Sequence, residues 1–267
     1  MIPRHVRLYR AFWRNCLRQA VEFRVNFWAN VLTNIGWLLS LVFFVKLIYL
    51  NTQSVAGWSE AEMFLLVGTY SLLHGVTDTL FSKNLSDLPN QIRLGTMDFT
   101  LLRPVNSQFF VSLRFVSLEN LGQFVGALAL LAYGLSLRQT VVPLRDVLAY
   151  VALLICGIVL SYAMSLAAMT LSFWLVRMDN LFVGLETVFS IARTPIDVFR
   201  VWGPLPRFFL TYILPLAFLA AMPTRALFGH LHQGRTLAIG AGLAVLFFAL
   251  SAAFWRYATR SYSSASS

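Results

Sequence analysis

Three sets of ionisable residues interrupt stretches that are otherwise apolar. His74 and Asp78 stand four residues apart in "SLLHGVTDTLF", so a single helical turn brings them together. Glu186, Arg193 and Asp197 recur within "LFVGLETVFSIARTPIDVF" on roughly one helix face, and Arg193 with Asp197 has the spacing of an intrahelical ion pair. His230 and His232 flank a leucine in "HLH". A His–carboxylate pair is half of a proton relay, and a mutual hydrogen bond is its simpler use. Glu119 stands near the start of the third expected span, and His74 with Asp78 alone does not make a relay. Two histidines fall short of the three or four ligands that a metal site needs, so no metal is expected. No Gly-x-Ser-x-Gly turn and no His-Glu-x-x-His pair is present, and catalytic residues are expected to be absent. The chain has only Lys46 and Lys83 as lysines, and neither follows glycine. A phosphate-cradling Gly-Lys loop therefore cannot be built, and hydrolysis of ATP by that route is excluded.

The elements that must carry these residues are membrane helices. Of the 267 residues, 58% are hydrophobic and 12% charged, and the mean hydropathy is +0.69. Soluble domains carry about 25% charged residues, too many for this chain to match. Its apolar stretches reach about 20 residues, the length a helix needs to cross the hydrocarbon core. The ~10-residue alternation of a membrane barrel is missing. The expected fold class is an all-α polytopic membrane protein. The net charge of +10 collects at the ends of the apolar stretches, which is a topology signal and not a nucleic-acid footprint. Cys16 and Cys156 form no metal or disulfide pattern. The first 24 residues lack the apolar core of a cleavable signal peptide.

Residues 1–24 read as an interfacial amphipathic helix. Phe12 and Trp13 lie with Val6, Tyr9, Cys16, Leu17 and Ala20 on one face, and Arg7, Arg10, Arg14 and Arg18 lie on the other. A basic face with aromatic anchors suits the surface of an anionic membrane; packing on a protein partner is the alternative. Spans are expected over about 25–50, 63–81, 109–135, 147–176, 181–199 and 236–257. Between the last two, residues 200–234 carry Pro204, Pro206, Pro215 and Pro223, which suits two short helices that dip in and return. This gives six transmembrane helices plus a re-entrant external segment. The cations of the N-terminus, of residues 82–108, of Arg177 and of the C-terminus place both termini and the 82–108 loop in the cytoplasm. Arg200, Arg207, Arg225 and Arg235 fit that rule poorly, because they fall outside.

The 82–108 loop is much longer than a connector requires. Within it, "SDLPNQIRLG" specifies a short helix. Ser86 or Asp87 can cap it, Pro89 suits its first turn, and Gly95 can supply the left-handed residue that ends it. Asn90, Gln91 and Arg93 are expected on its exposed side, with Leu88 and Ile92 as apolar knobs. Such an element suits docking of a cytoplasmic partner.

"RLGTMDFTLLRPVNSQF" resembles the pattern that follows the second span in permeases of ABC-2-type ATP-binding-cassette transporters, through Arg93, Gly95, Thr96, Asp98, Leu101, Leu102, Pro104 and Val105. The variant is similar to a largely uncharacterised bacterial permease subgroup. The resemblance implies a membrane subunit of an ABC exporter in a bacterial cytoplasmic (inner) membrane. Asp87, Leu88, Asn90, Gln91, Arg93, Leu94, Gly95, Thr96 and Asp98 would form its ATPase-coupling helix. ATP and Mg would be bound by a separate ABC ATPase subunit, with no cofactor on this chain. A second permease, identical or different, and membrane lipids complete the implied partners; no nucleic acid is among them. Glu186, Arg193 and Asp197 are candidates to line the translocation path, or alternatively to lock their helix to its neighbours. The competing functions are an ion-coupled secondary transporter, which should show matching broken helices in both halves, and an intramembrane enzyme, which lacks its motifs.

Overall fold

The computed structural model describes residues 9–10, 12–14, 16–17, 24–138, 141–175, 180–229 and 233–262, and these are predominantly helical. Arg7, Arg18, Arg177, His230 and His232 lie outside the described residues.

The first long helix, α1 (Arg24–Tyr49), coincides with the first expected span. Leu32, Leu39, Phe43 and Phe44 project from it largely exposed, which is the character of a surface facing lipid or another chain. Helix α2 (Glu60–Thr77) starts on a capping box. The Ser59 hydroxyl receives the Glu62 amide, and the Ser59 amide donates to the Glu62 carboxylate at 2.7 Å. Most of α2 is buried, so it is the interior helix of the bundle. It runs without a break into a π-helical turn, Asp78–Ser82.

The 82–108 loop folds into short helical turns, among them α3 (Leu88–Arg93), followed by Met97–Leu101. Next come α4 (Ser107–Leu113), α5 (Leu121–Ser136), α6 (Leu144–Thr170), α7 (Leu181–Ser190), α8 (Ala221–Leu227) and α9 (Gln233–Ser261). Among the described residues, three helical stretches are long and apolar enough to cross a membrane: Val31–Tyr49, Leu144–Phe173 and Gly234–Ser261. A shorter apolar helix covers Gly122–Ser136.

Two expected spans are interrupted. The stretch over 109–135 is not one helix, because α4 stops at Leu113 and a 3-10 turn, Leu118–Asn120, precedes α5. The Asn84 side chain holds this break by bonding the amide and the carbonyl of Phe115 at 2.8 and 2.7 Å. The stretch over 181–199 is α-helical only to Ser190. It continues as 3-10 turns at Ile191–Arg193 and Ile196–Trp202, separated by Thr194-Pro195. Proline at 195 removes the amide that a continuing helix would need and pushes Thr194 into an extended conformation.

Small residues set the interior contacts. A Cβ on Gly134 of α5 would stand 2.8 Å from Leu65 Cγ of α2, and one on Gly157 of α6 would stand 2.8 Å from the Phe218 carbonyl. Gly240 of α9 closes on Leu153 and Phe218, an intrachain contact. These approaches let backbones pack where lipid offers no hydrophobic drive. One apolar cluster gathers α2, α6, α8 and the 216–221 segment, and a second gathers the 85–97 turns, Leu166, Met169 and Trp255.

At the N-terminus, part of the apolar face meets the chain itself. Phe12 packs edge-on to Phe110 with centroids 5.9 Å apart, and buried Cys16 accepts from the Val116 amide at 3.3 Å. Arg10 and Arg14 remain exposed. Cys16 and Cys156 are both free thiols.

Candidate functional site

His74 lies between two carboxylates. Its Nδ1 is 2.6 Å from Asp78 Oδ2, on the same helix, and its Nε2 is 2.6 Å from Glu186 Oε2, on α7. The Ser82 hydroxyl donates to the other Asp78 oxygen at 2.7 Å. The first pair follows from the four-residue spacing. The second depends on α7 packing beside α2, which no local pattern reveals. The π-helical turn begins at Asp78 itself, and single π turns concentrate at functional positions.

The triad lines a cavity of about 530 Å³ between α1, α2, α5 and α7. Asn34, Trp37, Tyr70, Gln123, Ser190 and Arg193 add polar and aromatic walls. The Arg193 guanidinium lies 5.7 Å from the centre of the Trp37 ring, a cation–π arrangement. The cavity therefore has carboxylates at one part of its wall and a guanidinium at another. Such a chamber can hold a polar group within an apolar bundle.

Asp197 does not belong to this chamber. The expected Arg193–Asp197 helical pair is absent, because the Thr194-Pro195 break takes the two residues to different surroundings. Asp197 is buried instead in a knot outside the cavity. It accepts from Trp58 Nε1 at 3.0 Å, is hydrogen-bonded to Arg225 Nη2, and lies 3.6 Å from Arg207 Nη2. Arg225 also stands 5.2 Å from the centre of the Trp58 ring. This knot gives Arg207 and Arg225 a shared counter-charge. Tyr49 donates to the Trp58 carbonyl at 2.7 Å, tying the end of α1 into the same place. A turn with left-handed Ala56 and Gly57, at φ of 51° and 82°, folds Trp58 inward.

The 82–108 loop forms a separate surface. Helix α3 runs from Leu88 to Arg93 and ends at Gly95, whose φ is +68°, as its sequence specifies. Asp87 occupies the N-cap position but makes no capping bond; its carboxylate accepts from Gln91 Nε2 at 2.9 Å. The expected outward face needs correction. Leu88, Ile92 and Gln91 are buried: α6 and Trp255 offer the two aliphatic side chains an apolar seat, and the Gln91 amide bonds Asp87. The exposed residues include Asn90, Arg93, Leu94 and Thr96, joined by Phe99 and Leu102, which are 68% and 82% exposed. Three large apolar side chains on a loop surface are unusual for water and suit a protein contact. Asp98 neighbours Tyr262, and burial together with that carboxylate pushes the Tyr262 phenol up.

A family model for ABC-2 family transporter proteins matches residues 35–266 of this chain. No curated protein and no solved structure gives a significant match.

Proposed function

This chain belongs to the ABC-2 family of transporter proteins, and from that premise we propose that it is the membrane-spanning permease subunit of an ATP-driven exporter. The observation that carries the reading is the exposed surface of Asn90, Arg93, Leu94, Thr96, Phe99 and Leu102 at the mouth of the bundle. A separate ABC ATPase docks there and supplies bound ATP and Mg. Leu88 and Ile92 transmit its movement inward, because they are rooted in the cluster that contains Leu166, Met169 and Trp255. Asp87 and Gln91 brace the same turn, and Gly95 and Asp98 set its exit.

Six passes remain the reading of the topology. Leu181 packs with the loop cluster at one end of α7, and Asp197 reaches Trp58 at the other. Helix α7 and its two 3-10 turns thus complete a fifth pass that no continuous helix provides. Residues 200–227 leave and return to the same knot through Arg207 and Arg225, as a re-entrant segment would. Both termini and the 82–108 loop face the cytoplasm of a bacterial inner membrane. The N-terminal helix rests at its surface on Arg10 and Arg14, while Phe12 and Trp13 fasten it to the bundle.

The substrate path uses the chamber lined by Glu186 and Arg193, facing a second permease across the uncovered side of α1. Asp197 serves the knot. The test is purification of the full chain from its native membrane in mild detergent, with partners identified by mass spectrometry. Recovery of an ABC ATPase supports the reading. Recovery of the chain without any ATPase, at every detergent strength, would favour an ion-coupled transporter.

A further inference from the structure

We propose that His74, Asp78 and Glu186 form a proton-binding site whose occupancy ties α2 to α7 and so closes one wall of the 530 Å³ cavity. Both ring nitrogens stand 2.6 Å from a carboxylate oxygen. A neutral imidazole has one N–H and one lone pair, whereas the imidazolium has two N–H donors. Two carboxylates can therefore be bonded at once only while the triad holds one proton more than a neutral ring and two carboxylates. Loss of that proton sets a ring lone pair against a carboxylate lone pair in a partly buried place, where the repulsion is poorly screened. Asp78 shares the helix of His74 and is also held by Ser82. The contact that yields is the one between helices, His74 to Glu186, and its proton passes to water in the cavity.

The surroundings leave His74 as the group that changes. From its own helix, Tyr70 lies 5.4 Å away, ring centre to ring centre. From the α7 side, Glu186 is the direct partner and Arg193 shares the cavity wall. Helix α1 contributes Asn34 and Trp37, and α5 contributes Gln123, none of which titrates. From α6, Tyr162 flanks the narrow gap beside Glu186, with its hydroxyl engaged by Ser112 at 2.8 Å and Gln108 at 3.1 Å. A metal ion is the competing occupant, since the three ligand atoms lie within 4.8 Å of one another. The two ring nitrogens, however, point to different carboxylates. One ion can take only one of them, and the contact at the other nitrogen would stay a hydrogen bond, which leaves the ion the ring and one carboxylate in place, fewer than the three protein ligands a metal site needs.

The inference rests on the triad and not on the ATPase assignment, and its test uses the full chain alone in lipid nanodiscs. Spin labels at Lys83→Cys and Val183→Cys, in a chain whose Cys16 and Cys156 are replaced by serine, report the α2–α7 separation by pulsed electron resonance. The expected result is a short distance at acidic pH and a longer one at alkaline pH. Glu186→Gln should hold the short distance throughout, because its amide N–H donates to the neutral ring while Nδ1–H still serves Asp78. His74→Gln, which cannot gain a proton, should show no pH response. An unchanging distance in the parent chain, or a pH response that survives in Glu186→Gln, would overturn the proposal. A shift that appears only on adding zinc and vanishes with chelator would overturn it in favour of a metal site. If His74→Gln fails to fold, the Glu186→Gln arm decides alone.

Discussion

Trp58 and Asp197, separated by 139 residues of sequence, are joined by an indole N–H to carboxylate hydrogen bond of 3.0 Å. That bond fastens the loop after α1 to the 3-10 turn Ile196–Trp202 that follows α7. Arg225 and Arg207 complete the attachment by closing on the same carboxylate. The side chain of Asp197 is only 5% exposed, so its charge depends on these partners.

Removing the carboxylate should therefore be costly. Asp197→Ala leaves Arg225 largely buried without a counter-charge, a loss of about 3–5 kcal/mol in comparable cases. Trp58→Phe removes one charge-assisted bond and should cost about 2 kcal/mol. Thermal unfolding in detergent checks both. An Asp197→Ala chain that melts with the parent would contradict the knot.

Close packing gives a second expectation. Gly157→Ala places a methyl 2.8 Å from the Phe218 carbonyl, a backbone atom that cannot swing aside. It should destabilise by about 1–3 kcal/mol, the usual cost of overpacking. Gly184→Ala meets nothing within 4 Å on α7 and should be neutral or slightly stabilising. Equal melting temperatures for the two variants would count against the α6–Phe218 contact.

The loop surface divides into rooted and exposed residues. Phe99→Ala with Leu102→Ala should weaken ATPase docking about tenfold or more, as loss of an apolar contact centre does, and leave the melting temperature unchanged. Arg93→Ala should lower transport in the same way. Gln91→Ala should act differently, because its amide bonds Asp87 within the bundle, and should loosen the turn itself. ATPase stimulation alongside melting separates the two classes.

The chamber carries a fourth expectation. Glu186→Ala and Arg193→Ala should each reduce transport while leaving ATPase association intact. Vesicle transport and co-purification measured on the same preparation check this. Unaltered transport in both variants would remove the chamber from the path.

Much of this was legible in the sequence because it depends on near neighbours. The α1 boundaries, the His74–Asp78 turn and the left-handed Gly95 all follow from local spacing or from backbone chemistry. What escaped was set by packing. Leu88 and Ile92 look like knobs until α6 and Trp255 provide a seat for them. Arg193 and Asp197 look like a pair until Pro195 breaks the helix between them, a signal that was present in the sequence but was outweighed by apolar continuity. Glu186 reaches His74 across 112 residues, and no periodicity reports such a meeting. The break at 114–120 depends on Asn84 reaching Phe115, which is equally non-local.

The central claim is that a separate ATPase seats on the 82–108 loop. The most direct measurement replaces Leu102 with a photo-crosslinking amino acid in the native membrane and identifies the adduct, with Val141 as the control. Both positions are highly exposed, at 82% and 93%, but the proposed topology sets them on opposite sides of the membrane. It expects an ABC ATPase bound at Leu102 and none at Val141. No ATPase adduct at Leu102, or one at Val141 instead, would contradict it.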